Sequence, residues 1–399
     1  MSALARAVDS LANGSSELAI VLGVNLTLSP RGYAVAAAAG MLSPNGRCRT
    51  LDQGADGFVR GEGVVAVALK PLRAAVADGD RVRAVIRSVA VNHDGRSSSL
   101  RAPNPAAQAR LLVDAYRQAG FSISAVDYVE MHGTGTSLGD PIEVSALADA
   151  AAELGASAGT IGLGSVKTNL GHLEAAAGLV GVVKTVLALE HRAMPPMLHL
   201  TELNPHLRLD GTPFVPVPEL TEWAPPANRP RRAGVSAFGF GGSNGHVIVE
   251  EAPSTTAPQI RAPQFVPVVL SAGSEEALRN VARGLADLFD AGTVPLTDVA
   301  YSLARSREAL AERAAFVTDD PQVALARLRA LGEGTVPEGV HRGRVTCNAA
   351  GRLCRDDVDV LLTRWLASGR LDTAVEYWAA GGEVSLTRLA ETIPGSLID

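Results

Sequence analysis

Residues 129–143 read VEMHGTGTSLGDPIE. An apolar run of strand type stops at His132, and a loop of Gly and Thr with little side-chain bulk follows at once. Such a loop lets a thin ligand come close to the backbone, because Gly has no Cβ to hold it away. A histidine at that place can serve as acid, base or hydrogen-bond donor near neutral pH. Two more loops have the same make-up: 164–172 (GSVKTNLGH), with Lys167 and His172, and 238–246 (FGFGGSNGH), with Phe240, Gly241 and Gly242.

All three loops follow strand candidates, at 126–131, 160–166 and 234–238. Helix patterns at 105–120, 143–154 and 173–189 alternate with strand patterns at 17–26, 64–69, 81–91 and 246–251. That alternation predicts a layered α/β domain. In such folds the strand ends gather at one crevice, where ligands bind. Thr134 and Thr136 add hydroxyls to it, and Lys167 lies five residues before His172.

Each feature also has a plain structural explanation. A single His at a strand end is most often a structural hydrogen-bonder. GLGSVKT at 162–168 is not a phosphate loop, because Val166 stands where that motif needs Gly before Lys167. Asp140 and Pro141 start a helix, with Glu143 favourably placed in its first turn. VDSL at 8–11 belongs to a helix. His93, His191, His199, His206 and His341 have no supporting context, and His246, among strand residues, is expected to pack. No His or Cys pair has metal-ligand spacing, so no metal is expected.

Composition narrows the field. The chain has 399 residues, 47% hydrophobic but only 4% aromatic, so Ala, Val and Leu must fill its cores. A net charge of -6 argues against a nucleic-acid partner. Lysine occurs only at 70, 167 and 184. Three cysteines, Cys48, Cys347 and Cys354, suggest no disulfide framework, and a reducing cytoplasm is expected. No signal peptide or membrane-spanning stretch is recognised. Composition changes after residue 252, where PSTTAP at 253–258 reads as a linker. Beyond it come strands at 265–270 and 314–317, helices at 274–291, 296–306 and 321–331, and one further helix at 358–368.

Taken together, HGTGTSLGDPIE, SVKTNLGHLEAAAG and GVSAFGFGGSNGHVIVEEAP resemble the C-terminal half of a β-ketoacyl synthase. They look most like the ketosynthase domain of a type I polyketide synthase. GVNLTLSP (23–30), MLSPNGRCRTLDQGADGFVRGEGVVAVALKPL (41–72) and VNHDGRSSSLRAPN (91–104) extend the resemblance over residues 1–253. Residues 265–332 resemble the linker domain between ketosynthase and acyltransferase, and 360–389 resemble the segment that follows an acyltransferase. The domains expected are therefore 1–72, a remnant of the N-terminal half; 73–253, the C-terminal half; 254–264, a linker; 265–335, the linker domain; and 336–399, a tail.

The resemblance implies a thiolase-like αβαβα fold, incomplete and mostly its C-terminal half, plus a small α+β linker domain. It implies decarboxylative Claisen condensation of an acyl thioester with a malonyl-type thioester on a carrier protein, in polyketide or fatty acid biosynthesis. His132 and His172 match the two catalytic histidines, which stabilise the enolate. Lys167 would set the surroundings of His172 through Glu174. Thr134 and Thr136 would hold the phosphopantetheine arm of an acyl carrier protein. The N–H of Phe240, beside Gly241 and Gly242, would complete an oxyanion hole. No cofactor is expected on the chain itself.

The family's nucleophilic cysteine lies in a T-A-C-S-S-type motif ahead of the helix matched by residues 7–13, and no such motif occurs here. Cys48 matches a surface-loop or packing position of the family. The chain is thus expected to be a truncated acyltransferase of the β-ketoacyl synthase type. It would be inactive alone, poorly soluble, and in need of an N-terminal half or a homodimer partner. A separate acyltransferase would load the extender. The alternatives are a non-condensing malonyl-thioester decarboxylase and a carrier-protein binding module.

Overall fold

The computed structural model describes residues 1–96, 103–156, 160–224, 229–253, 265–292, 294–345 and 355–393. The linker expected at 254–264, Cys347 and Cys354 lie outside the described residues. The chain divides into two units, Met1–Pro253 and Ser254–Asp399.

In the first unit, helix α1 (Ser2–Ala12) leads to strand β1 (Ala19–Asn25). Helix α2 (Arg31–Ala38), strand β2 (Gly63–Leu69), helix α3 (Leu72–Ala77) and strand β3 (Ala84–His93) follow. Helix α4 (Pro105–Ala119) is well delimited: the Asn104 side chain accepts the N–H of Ala107, Pro105 takes the first position, and Gly120 ends it at φ 78°. Then come β4 (Tyr128–Glu130), α5 (Gly139–Glu153), β5 (Ile161–Gly164), the one-turn α6 (Lys167–Leu170) and α7 (Ala177–His191). The short strands β6 (Ala193–Met194), β7 (Phe214–Pro216) and β8 (Thr221–Glu222) precede the hairpin of β9 (Arg232–Phe238) and β10 (Ser243–Glu251).

The main sheet has six strands in the order β3-β10-β9-β4-β5-β7. Strands β9, β4, β5 and β7 run parallel, and β10 is antiparallel to both β9 and β3. Helices α4 and α5 cover one face, where Leu111, Tyr116, Val129, Val144, Leu147 and Ile248 form a buried cluster. Helices α7 and α1 cover the other, with Leu4, Leu179, Val182, Val235 and Val247. The antiparallel β1–β2 ribbon packs beyond α7 through Val21, Val65 and Val67. Four layers therefore stand in the order α, β, α, β. The outer face of the ribbon, with Ile20, Leu22, Val24 and Val64, is exposed.

The second unit has the antiparallel sheet β11 (Val266–Ala272), β12 (Glu312–Thr318) and β13 (His341–Arg344). Helices α8 (Glu275–Asp290), α9 (Leu296–Ser306) and α10 (Pro321–Glu333) pack with it. The single helix expected near the end is instead three: α11 (Arg355–Ala367), α12 (Leu371–Ala379) and α13 (Leu386–Ala390). Their Leu362, Trp378 and Leu389 share one core with Leu270 and Phe316, which is why they are helical and ordered together. Among the described residues no helix is long and apolar enough to cross a membrane.

Candidate active site around two histidines

Parallel pairing of β5, β4 and β9 sends the loops after all three strands out of the same sheet edge. His132 lies two residues beyond β4, Lys167 three beyond β5, and Phe240 two beyond β9. His132, Thr134, Thr136, His172 and the 240–242 turn line one solvent-open cavity of about 440 Å³. The imidazoles of His132 and His172 stand edge to face, ring centroids 5.4 Å apart and planes at 81°. Phe58 meets the His172 ring at 5.0 Å, and Phe238 meets that of His132 at 5.7 Å.

The His132 loop is held by groups that lie near it only in the folded chain. Glu143 accepts the N–H groups of His132 and Gly133, at 2.7 and 2.8 Å. Asp140 accepts those of Leu51 and Gly135, at 2.9 and 3.2 Å. The Gly133 carbonyl takes hydroxyl hydrogen bonds from Thr50 and Ser165. Gly133 and Gly135 have φ 42° and 74°, and a Cβ on either would strike Thr50 or the Arg49 backbone. The hydroxyls of Thr134 and Thr136 lie 3.1 Å apart, and that of Thr136 also accepts the N–H of Gly139.

The ring of His172 is oriented by its neighbour: Nδ1 accepts the N–H of Glu174 at 3.0 Å. In the neutral ring the proton therefore sits on Nε2, the remaining donor. Burial lowers the His172 pKa to about 3, and Lys167 and Arg60 push the same way. Burial also lowers His132 well below the usual range, again helped by Lys167 and then by His172. Both rings are neutral at physiological pH, so each has one ring N–H to donate and one nitrogen that accepts.

Lys167 is buried. Its pKa is lowered by burial, against the fields of Glu130, Glu143, Cys48 and Asp140. Glu130 in turn is held by the Tyr128 hydroxyl at 2.7 Å and by Lys184 at 2.8 Å, and it accepts the N–H of Val166. The expected route from Lys167 to His172 through Glu174 is not the arrangement found. Glu174 is exposed and pairs with Arg60, Nε to Oε1 at 2.8 Å, because residues 59–61 run alongside His172. Lys167 faces the buried acids instead.

Phe240 is exposed at the cavity mouth, on the β9–β10 turn where Gly241 and Gly242 have φ 108° and 92°. His246 packs as expected: it is buried, with Nδ1 3.0 Å from the Ser236 hydroxyl. Cys48 is buried too, and its sulfur accepts the N–H of Val59 at 3.1 Å. Among the described residues, no cysteine lines the cavity. The anchoring roles of Asp140 and Glu143 and the part played by Arg60 were missed in the sequence. An acid pair three apart just after the histidine loop was the one available signal.

Three family models match consecutive parts of the chain. They are the β-ketoacyl synthase N-terminal domain at 1–75, its C-terminal domain at 83–201, and the ketoacyl-synthetase C-terminal extension at 204–317. Polyketide synthase PksN of Bacillus subtilis is 39% identical over 98% of this chain, which spans only 8% of that protein. Polyketide synthase ThaG of Burkholderia thailandensis is 40% identical over 97% of this chain, which spans 7% of that protein. Among solved structures, the ketosynthase from module 6 of the bacillaene synthase of Bacillus subtilis aligns with a TM-score of 0.87 and 35% identity. That alignment covers 97% of this chain and 68% of the other. The OzmH KS7 oxazolomycin ketosynthase domain of Streptomyces albus aligns at 0.85 and 37%, over 96% and 65%. With both histidine loops of the β-ketoacyl synthase pattern meeting in one thiolase-like cavity, the chain belongs to the β-ketoacyl synthase family and is of the ketosynthase type found in polyketide synthases.

Proposed function

We propose that the cavity carries out the decarboxylating half of a ketosynthase reaction on a malonyl-type thioester. The observation that carries this is the pairing of two neutral imidazoles, His132 and His172, 5.4 Å apart in an open cavity. The carboxylate of the malonyl group leaves as CO2, and the electron pair of the broken C–C bond moves onto the thioester, giving an enolate. The Nε2–H of His172 and a hydrogen bond from His132 stabilise its oxygen as the charge develops. In the full condensation the enolate carbon attacks an acyl thioester on a cysteine, and the thiolate is expelled.

Thr134 and Thr136 would hold the amides of the phosphopantetheine arm. Phe240, Gly241 and Gly242 would border the acyl end, with the Phe240 N–H as an oxyanion donor. An acyl carrier protein, a second ketosynthase copy and a separate acyltransferase are the partners called for, in a cytoplasmic polyketide or fatty acid pathway. Condensation would also need the family's acyl-bearing cysteine, which is not among the described residues that line the cavity. A second reading is release of CO2 from a malonyl thioester without chain extension.

The test is incubation of the purified chain with malonyl carrier protein, with CO2 and acetyl carrier protein as readouts. CO2 release that disappears in His172→Ala and His132→Ala is expected. A folded chain that releases none, or that keeps its rate in both variants, would overturn the proposal.

A further inference from the structure

The residue whose N–H orients the ring of His172 has a backbone conformation with a cost. Glu174, which gives that N–H to Nδ1, itself adopts φ 41°. That is left-handed backbone, which a residue with a Cβ occupies only when its surroundings enforce it. Among the described residues just three other non-glycines, Leu51, Arg192 and His199, have positive φ. Glu174 opens a single 3-10 turn, Glu174–Ala176, that runs directly into α7, so the left-handed residue lies ahead of the helix and outside its hydrogen-bonded turns.

What holds it is Arg60. The guanidinium pairs with the Glu174 carboxylate: Nη2 donates to Oε2 at 3.0 Å, while Nε lies 2.8 Å from Oε1 in an ion-pair contact without a hydrogen bond. A charge-assisted hydrogen bond of this kind is stronger than a neutral one. Arg60 is itself constrained. Its side chain is 11% exposed, its guanidinium lies over the Tyr33 ring at 5.1 Å, and a Cβ on Gly32 would collide with it. Its backbone is pinned on both sides to His172, by His172 N–H to the Val59 carbonyl at 2.7 Å and Gly61 N–H to the His172 carbonyl at 2.9 Å.

We propose that Arg60 is a positioning residue for His172: by gripping the Glu174 carboxylate it keeps Glu174 in the left-handed turn whose N–H confines the ring proton to Nε2. Lysine at 60 would keep the charge but not the flat group that lies over Tyr33 and aims Nη2 at Glu174. Glycine at 174 would make the turn acceptable without any grip, since glycine adopts positive φ freely. The proposal rests on the assignment of His172 as the enolate-oxygen donor, but the tautomer exists without substrate and can be read separately.

The experiment is NMR of the full chain labelled with 15N-histidine, which separates a protonated ring nitrogen from an accepting one. Wild-type His172 is expected as one tautomer, Nε2–H. Arg60→Met should raise the Nδ1–H form about tenfold, the change that follows loss of one ordinary net hydrogen bond. Arg60→Lys should not restore the wild-type state, whereas Glu174→Gly should keep Nε2–H with or without Arg60. Unchanged tautomers in both Arg60 variants would overturn the proposal. So would a shift in Arg60→Met that persists in the Glu174→Gly background, since Arg60 would then act by another route. A tautomer shift in a chain that never releases CO2 would support the positioning role while removing the decarboxylase assignment.

Discussion

Glu143 grips the loop that presents His132, one carboxylate oxygen on the N–H of His132 and the other on that of Gly133. Both bonds are short and both groups are shielded, so the carboxylate acts as a clasp between α5 and the end of β4. Glu143→Gln replaces one acceptor with an NH2 that faces an N–H. The amide cannot satisfy both, and an unmet buried donor costs about 1–3 kcal/mol. Urea unfolding of Glu143→Gln should show a loss of that size with little change in slope. Wild-type stability would mean that the clasp is not formed.

Two opposing sets of buried groups shape the pH dependence of the first unit's stability. Burial raises Asp140 from 3.8 to about 6 and Glu143 from 4.5 to about 7. The folded state holds these protons more tightly, so their contribution is complete below the unfolded values and is lost as pH rises through 6 and 7. Burial lowers His172 and His246 from 6.5 to about 3. Their contribution is present above 6.5 and is lost as pH falls toward 3. From pH 4.5 to 6 the two carboxyls therefore lose much of what the histidines gain, and the rise in thermal midpoint should be small. In Glu143→Gln one of the opposing carboxyls is gone, so the midpoint should climb more steeply over the same range. Equal slopes in the two proteins would contradict this.

How much of this was legible in the sequence depended on range. The loops around His132, His172 and Phe240 could be read because each follows a strand pattern within a few residues. The adjacency of β5, β4 and β9 could not, since it joins strands up to a hundred residues apart through hydrogen bonds that leave no local trace. Asp140 and Glu143 were legible as the start of a helix, and α5 does begin there. That their carboxylates turn back to the loop depends on where residues 49–57 cross it. Helix α2 went unread because RGYAVAAA has no clear polar face, although Ala36 is buried. In α12 the pattern was present, with Ala374, Val375, Trp378 and Ala379 on one buried face at helical spacing.

Gly61 tests the contact between residues 59–61 and the His172 loop. Its N–H binds the His172 carbonyl, and a Cβ there would collide with the Leu170 carbonyl and the Leu173 side chain. Overpacking against backbone costs about 1–3 kcal/mol, because the neighbour cannot rotate away. Gly61→Ala should lose that much stability and shift the 15N resonances of His172. Gly273→Ala, where a Cβ meets nothing within 4 Å, is the control and should be nearly neutral. Equal effects of the two substitutions would show that the close approach at Gly61 is absent.

The β1–β2 ribbon invites association. Its register sets Ile20 against Ala68, Leu22 against Ala66 and Val24 against Val64, all on the exposed face. The intervening Val21, Val65 and Val67 face α7, so the two sides of the ribbon can be changed independently. An apolar face of this kind promotes self-association of a chain in water. Ile20→Lys combined with Leu22→Glu leaves the inner face intact and should alter stability by no more than about 0.5 kcal/mol, as surface changes usually do. The same pair of substitutions should raise the concentration at which light scattering first detects aggregates. If scattering begins at the wild-type concentration while the fold is retained, the ribbon is not the surface through which copies of the chain associate.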